Sequence, residues 1–226
     1  MASDHTVVQG EYLSKIARNY GFSDYRTIWE HPRNAELKRL RQNPNVLYPG
    51  DELFIPDRKE KYESRVTERR HRFQMRAPSL KLRIVVEDTY EKPIGGAPFE
   101  LSIGSALHSL TSDERGKVEQ DIPSTAEAAI LIIRTEETPL NNVAIPVKIG
   151  HLDPVEEVTG QKGRLKNLGY YFGVIDTKVD AEFRSAVEEF QCDNFPSPRR
   201  ADGVPVAVDG VCGPKTQARL KEVHGC

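Results

Sequence analysis

The apolar residues of this chain change their period twice, and no single kind of secondary structure accommodates both periods. Near the start, Leu13, Ile16, Ala17 and Tyr20 recur at helical spacing, and Gly21 is placed to stop the helix. Between residues 79 and 150 the period falls to two. Leu80, Leu82, Ile84 and Val86 alternate with Lys81 and Arg83, and Phe99, Leu101 and Ile103 with Glu100 and Ser102. Val143, Ile145, Val147 and Ile149 repeat the pattern, while Ala128 to Ile133 reads as a strand buried on both faces. Further on, helical spacing returns. Leu165, Leu168 and Tyr171-Phe172 form one apolar face, and Phe183, Val187 and Phe190 another at i, i+4, i+7. Each segment therefore needs a core of its own kind.

Turn chemistry marks the boundaries. Thr6, Val7 and Val8 read as a brief strand and Gly10-Glu11 as a turn. Helices are expected from Leu13, across Tyr25 to Trp29, and from Asn34 to Gln42 after the His31-Pro32 break. Asn43-Pro44-Asn45 and Tyr48-Pro49-Gly50-Asp51 then turn the chain into a second strand, Glu52 to Ile55, which gives the order β-α-α-β. Residues 58–78 are rich in Arg and Lys, contain no Gly, and read as a solvated helical or extended connector. Gly95-Gly96, Asp113 to Gly116 and Pro139 punctuate the alternating strands, as a small β-sandwich requires. A last helix is expected near Pro214, a residue suited to the first helical position. The expected fold class is multidomain α+β. Residues 1–57 form a β-α-α-β unit, 58–78 a basic linker, 79–150 an all-β sandwich and 151–226 a three-helix domain.

Length and composition fit this division. The chain has 226 residues, enough for two or three small cores. Charged residues make up 29% and the hydrophobic class 38%, with a mean hydropathy of -0.56, as small units with much solvated surface require. A net charge of -2 gives no global reason to expect nucleic acid, and the basic connector lacks the aromatic interleaving that would suggest it. No apolar run approaches the roughly 20 residues that a membrane span needs. MASDHTVVQG has neither a basic n-region nor an apolar h-region, so synthesis in the cytoplasm without a Sec signal is expected, with any export by another route. Cys192, Cys212 and Cys226 cluster near one end and make no disulfide framework.

Two stretches resemble known families. "HTVVQGEYLSKIARNYGFSDYRTIWEHPRN…NPNVLYPGDELFIPD" resembles a LysM domain over residues 4–57, with Leu-x-x-Ile-Ala in the first helix, then Asn-Pro-Asn, Leu-x-Pro-Gly and a strand ending Ile-Pro. Tyr12 stands where that family commonly has Thr or Ser. The resemblance implies binding of N-acetylglucosamine-containing glycan in a groove between two loops. Carried over by position, Gly10, Glu11, Tyr12 and Leu13 form one wall and Asn43, Pro44, Asn45, Val46 and Leu47 the other. Main-chain amides there would pair with N-acetyl groups while Leu and Val side chains pack on the methyl and the sugar face.

"GRLKNLGYYFGVIDTKVDAEFRSAVEEFQ…ADGVPVAVDGVCGPKTQARL" is similar to the three-helix peptidoglycan-binding domain, which reads Leu-x-x-Leu-Gly-Tyr, then Phe-x-x-Ala-Val-x-x-Phe-Gln and Asp-Gly-x-x-Gly-Pro-x-Thr. That resemblance implies a second wall-binding face at Gln191, Asp209, Gly210, Gly213 and Thr216. Between the two, "VVEDTYEKPIGGAPFELSIG…SLTSDERGKVEQDIP", with its Thr-x-Asp-x-x-Gly corner, resembles the transthyretin-like or carboxypeptidase-regulatory-like sandwiches, which serve as spacers or docking modules.

Nothing in the sequence sets up catalysis. Glu188-Glu189 are adjacent on one helix and point apart, and no motif pairs a histidine with a nucleophile. His224, Cys226 and Cys212 lack the spacing of a zinc site. The expectation is a non-catalytic protein without metal or cofactor that binds peptidoglycan through both end modules. A second expectation is an adaptor or cargo that meets the spike or baseplate of a contractile, type VI-like secretion machine or phage. Its motivation is the charged stretch Trp29 to Arg41, the absent leader and the basic connector.

Overall fold

A computed structural model describes residues 2–59, 62, 64–72, 79–88, 90, 92–133, 143–195 and 208–225. The chain is mixed α+β, with six α-helices and eight strands among the described residues, all strand pairs antiparallel. Contacts divide it into two compact units: Met1–Asn45 with Pro49–His151, and Val46–Tyr48 with Leu152–Cys226.

The first unit opens with β1 (Ser3–Thr6), α1 (Leu13–Asn19), α2 (Arg26–Trp29), a 3-10 turn (Pro32–Asn34), α3 (Ala35–Arg41) and β2 (Glu52–Ile55). β1 pairs with β2 in the register Ser3↔Ile55 to Thr6↔Glu52. The first strand thus lies three residues earlier than Thr6–Val8. The turn at Pro49–Gly50 precedes β2, whose first residue Glu52 lies opposite Thr6, and Val7 adds two further bonds, to the Asp51 carbonyl and from the Gly50 amide. Leu13, Ile16, Ala17, Ile28, Trp29, Leu53 and Ile55 are buried, so the helical period does turn one face inward. Asn34 ties the helices to the sheet. Its side-chain amide donates to the Ile28 and Phe54 carbonyls and its oxygen accepts from the Phe54 amide, each at 2.8 Å. Arg41 holds Asp51 through both carboxylate oxygens and so closes the base of the loop between α3 and β2.

In the connector 58–78 the described residues form neither helix nor strand. Beyond it come β3 (Ser79–Val85), β4 (Pro98–Ile103), β5 (Ala106–Thr111), β6 (Lys117–Pro123), β7 (Ala128–Ile133) and β8 (Val143–Lys148). β3 pairs with β6, and the other four form a sheet in the order β5-β4-β7-β8. The two sheets share one core. Val118 and Ile122 come to it from one sheet, and Phe99, Leu101, Leu131 and Ile133 from the other.

The second unit carries α4 (Val158–Asn167), α5 (Ala181–Asn194) and α6 (Pro214–His224). Leu165, Tyr171, Phe183, Val187, Phe190 and Leu220 fill its interior, with Leu168 and Cys212 packed against them. Asp180 caps α5 by accepting from the Phe183 amide at 2.8 Å, and Pro214 opens α6. Phe172 departs from the expected apolar face. It lies in the loop after α4 and is exposed, while its neighbour Tyr171 turns inward. Among the described residues, no helix is long and apolar enough to cross a membrane.

Candidate glycan-binding loops

The loop between β1 and α1 and the loop between α3 and β2 meet at one main-chain bond, from the Leu13 amide to the Pro44 carbonyl at 3.1 Å. Two side chains support the contact. The Asn43 carboxamide oxygen accepts from the Asn45 amide at 2.9 Å, which sets an Asx turn. The Ser14 hydroxyl donates to the Asn45 carboxamide oxygen at 3.4 Å. Asn45 itself is exposed, and Asn43 and Pro44 are half-buried. The expected pairing of the two loops is therefore present at Leu13, Pro44 and Asn45. Val46 and Leu47 fall in the second unit, where Leu47 is buried.

The other wall differs from the sequence reading, which put a Leu side chain against the sugar. Leu13 is fully buried and Tyr12 is 1% exposed. Tyr12 precedes α1 in an extended conformation and makes no side-chain cap, unlike the Thr or Ser that the resemblance would place there. Its ring reaches the end of β6 instead. The hydroxyl proton is shared between the carbonyls of Ser124 (3.0 Å) and Ala126 (2.8 Å). Burial, with the Glu127 charge second, pushes the Tyr12 hydroxyl up to about 12, so it remains a donor across the physiological range.

The same surface is fastened around Tyr12. Lys15 pairs with Glu127 at 2.7 Å, and the Gln9 amide donates to the His151 carbonyl at 3.4 Å. Gly10 has a positive φ of 87° and lies beneath the His151 ring, so that a Cβ there would sit 3.0 Å from the ring. Glu11 turns back on its own loop. Its carboxylate accepts from the Val8 amide at 3.1 Å and meets the His5 ring at 2.8 Å, and His5 in turn reaches the Tyr20 hydroxyl. On this wall Gly10, Tyr12 and Leu13 are buried, and the half-buried Glu11 alone keeps surface toward solvent. What the site can offer a ligand is the exposed Asn45 carboxamide beside the half-buried Glu11, Asn43 and Pro44.

Of the second expected face, Gln191, Gly210 and Thr216 are buried, Gly213 is half-buried and Asp209 is exposed. Gln191 is 1% exposed, and its side chain serves five groups. Its oxygen accepts from the amides of Asp209 (3.0 Å) and Gly210 (3.2 Å). Its amide group donates to the Asp209 carboxylate, the Val211 carbonyl and the Thr216 hydroxyl, each at 3.1 Å. The Val211 amide, with Gln191 second, holds the Asp209 carboxyl below its ordinary range. Gly213 is the residue before α6, and its amide donates to the Val211 carbonyl at 2.8 Å. Gln191 thereby staples the loop before α6 to α5. Sequence alone does not separate that role from ligand contact, because both call for the same residues.

No metal-ligating group of three or more His, Cys, Asp or Glu residues occurs among the described residues. Cys192 and Cys212 are free thiols, and burial pushes Cys212 up to about 12.

No curated protein and no solved structure matches this chain. A family model does match part of it: residues 5–30, which run from the end of β1 through the Tyr12 loop, α1 and α2, match the LysM domain, a module that binds N-acetylglucosamine-containing glycan, and this supports a carbohydrate-binding role.

Proposed function

We propose that the protein is a non-catalytic binder of bacterial peptidoglycan, which it holds through N-acetylglucosamine-containing glycan at the paired loops around Leu13, Pro44 and Asn45. The observation that carries this reading is the LysM match at residues 5–30, whose first loop is bonded to the Asn43–Asn45 turn. Pinned main-chain groups suit an N-acetylated polymer, because amide recognition requires fixed donors and acceptors rather than a deep pocket. Single sites of this kind are weak. A repeating polymer strengthens them by offering many copies, and a contact from the helical unit would add to that.

Retention of the full chain on purified sacculi at low salt tests the reading. Wild type is expected to sediment with the sacculi and Asn45→Ala to lose most of that retention, with unchanged circular dichroism. Wild type that stays in the supernatant while folded would sink the proposal, as would release of soluble muropeptides.

A further inference from the structure

Between β2 and β3 the chain passes through SRVTERRHR, residues 64–72, all of them exposed and none in a helix or strand. Arg65, Arg69, Arg70 and Arg72 stand in this stretch, with Glu68 as its one acidic residue. The chain turns at Thr67-Glu68. The His71 ring bridges that turn by donating from Nε2 to the Val66 carbonyl at 2.7 Å, a side-chain contact open to water.

Other turns that carry basic residues are closed from their own amides. Asp113 accepts from the Arg115 and Lys117 amides, each at 2.9 Å. Asp88 accepts from the Lys92 amide at 3.0 Å and Asp176 from the Lys178 amide at 3.1 Å. An endoprotease takes its substrate as an extended strand and pairs with its main chain, so a turn clasped in this way must open before it is cut. Residues 64–72 have no helix or ladder to lose.

The position of the stretch decides what a cut does. Among the described residues, the β1–β2 pair lies wholly before it and every other strand pair wholly after it, so no ladder is divided. What crosses from one side to the other is a clamp. Tyr12 is buried with its hydroxyl on the Ser124 and Ala126 carbonyls, Lys15 pairs with Glu127 at 2.7 Å, and Gly10 lies beneath the His151 ring.

We propose that residues 64–72 are a processing site for an arginine-specific endoprotease, cut at the Arg69-Arg70 pair, and that the product stays together as a nicked protein. An acidic specificity pocket accepts the Arg70 guanidinium, and Arg69 and Arg72 add charge of the same sign on either side. Hydrolysis of the Arg70–His71 bond consumes water. The Arg70 carbonyl carbon takes the water oxygen and becomes a carboxylate, and the His71 nitrogen leaves with both water hydrogens as a new amino terminus. Residues 1–70 and 71–226 are then separate chains. The Tyr12 clamp holds them without the effective concentration that the connector supplied.

Limited digestion of the folded full chain, with trypsin as the probe, tests both parts. Cleavage at the Arg69-Arg70 pair should run on the order of a hundredfold faster than digestion of the helices and strands, with the fragments identified by mass. Arg69→Gln with Arg70→Gln should remove those fragments at an unchanged urea midpoint, since both side chains are exposed. Nicked wild type should elute from gel filtration as one species and part into two chains only in urea, and nicked Tyr12→Phe should part at lower urea. A chain whose Arg69-Arg70 pair outlasts its helices and strands overturns the processing site. Fragments that separate in buffer without urea overturn the clamped product.

Discussion

Tyr12 shows how one residue can exchange a local role for a distant one. A Thr or Ser before α1 would cap the helix, a contribution of about 1 kcal/mol. Tyr12 gives that up, and the ring buries itself with its hydroxyl on Ser124 and Ala126. Tyr12→Phe keeps the ring but leaves two buried carbonyls short of a donor. Stability to urea is expected to fall by about 1–2 kcal/mol, and an unchanged midpoint would show that the bonds contribute nothing. His224 provides a pH-dependent counterpart in the second unit. Burial, with the Arg164 charge second, lowers it to about 4 from 6.5, and Asn167 donates to its ring at 2.9 Å. The unfolded chain therefore binds a proton below about 6.5 that the folded chain does not accept until about 4. Stability from this residue is complete above that window and is lost as pH falls through it, by at most about 1.4 kcal/mol per pH unit. Urea midpoints measured from pH 7 to pH 4 should fall with a slope that His224→Gln flattens.

At the scale of elements, short pieces are held by side-chain clamps as much as by their own ladders. β1 and β2 have four residues each, too few to stand alone, and Asn34 completes them from the 3-10 turn. Gln191 does the same for the loop before α6. Gln191→Ala would strip partners from two amides and the Thr216 hydroxyl. It should lower stability by about 2–3 kcal/mol while leaving sacculus retention of the still-folded protein unchanged. A loss of retention at full stability would return Gln191 to the ligand site that the sequence suggested for it. The helices and strands themselves were largely legible, since α1, α5, α6, β2, β3, β4 and β8 follow periodicity and turn residues, whereas β7 alternates buried and exposed residues where burial on both faces was expected. β1 was misplaced because its end is set by the turn that precedes β2, not by its own Val residues. Phe172 was misplaced because adjacent aromatics cannot both face one core, and only the bond from Tyr171 to Val174 decides which turns in.

For the whole molecule, the consequence is that the N-terminal segment is not free-standing within the first unit. Gly10, Tyr12 and Lys15 all find partners between Ser124 and His151. A fragment of residues 1–57 should therefore unfold at lower urea than the same segment within residues 1–151, monitored through Trp29, the only tryptophan of the chain. Equal midpoints would mean that the Tyr12 contacts do not couple the two segments.

The sequence by itself determined where apolar faces lie, where the chain must turn and which residues belong to the LysM pattern, because these depend on local geometry and short-range periodicity. Only the tertiary structure decided which candidate residues have their polar groups engaged inside the protein. Gln191 and Tyr12 look available in one dimension. They are engaged in three, because the partners that satisfy them lie 18 to 25 and 112 to 114 residues away along the chain.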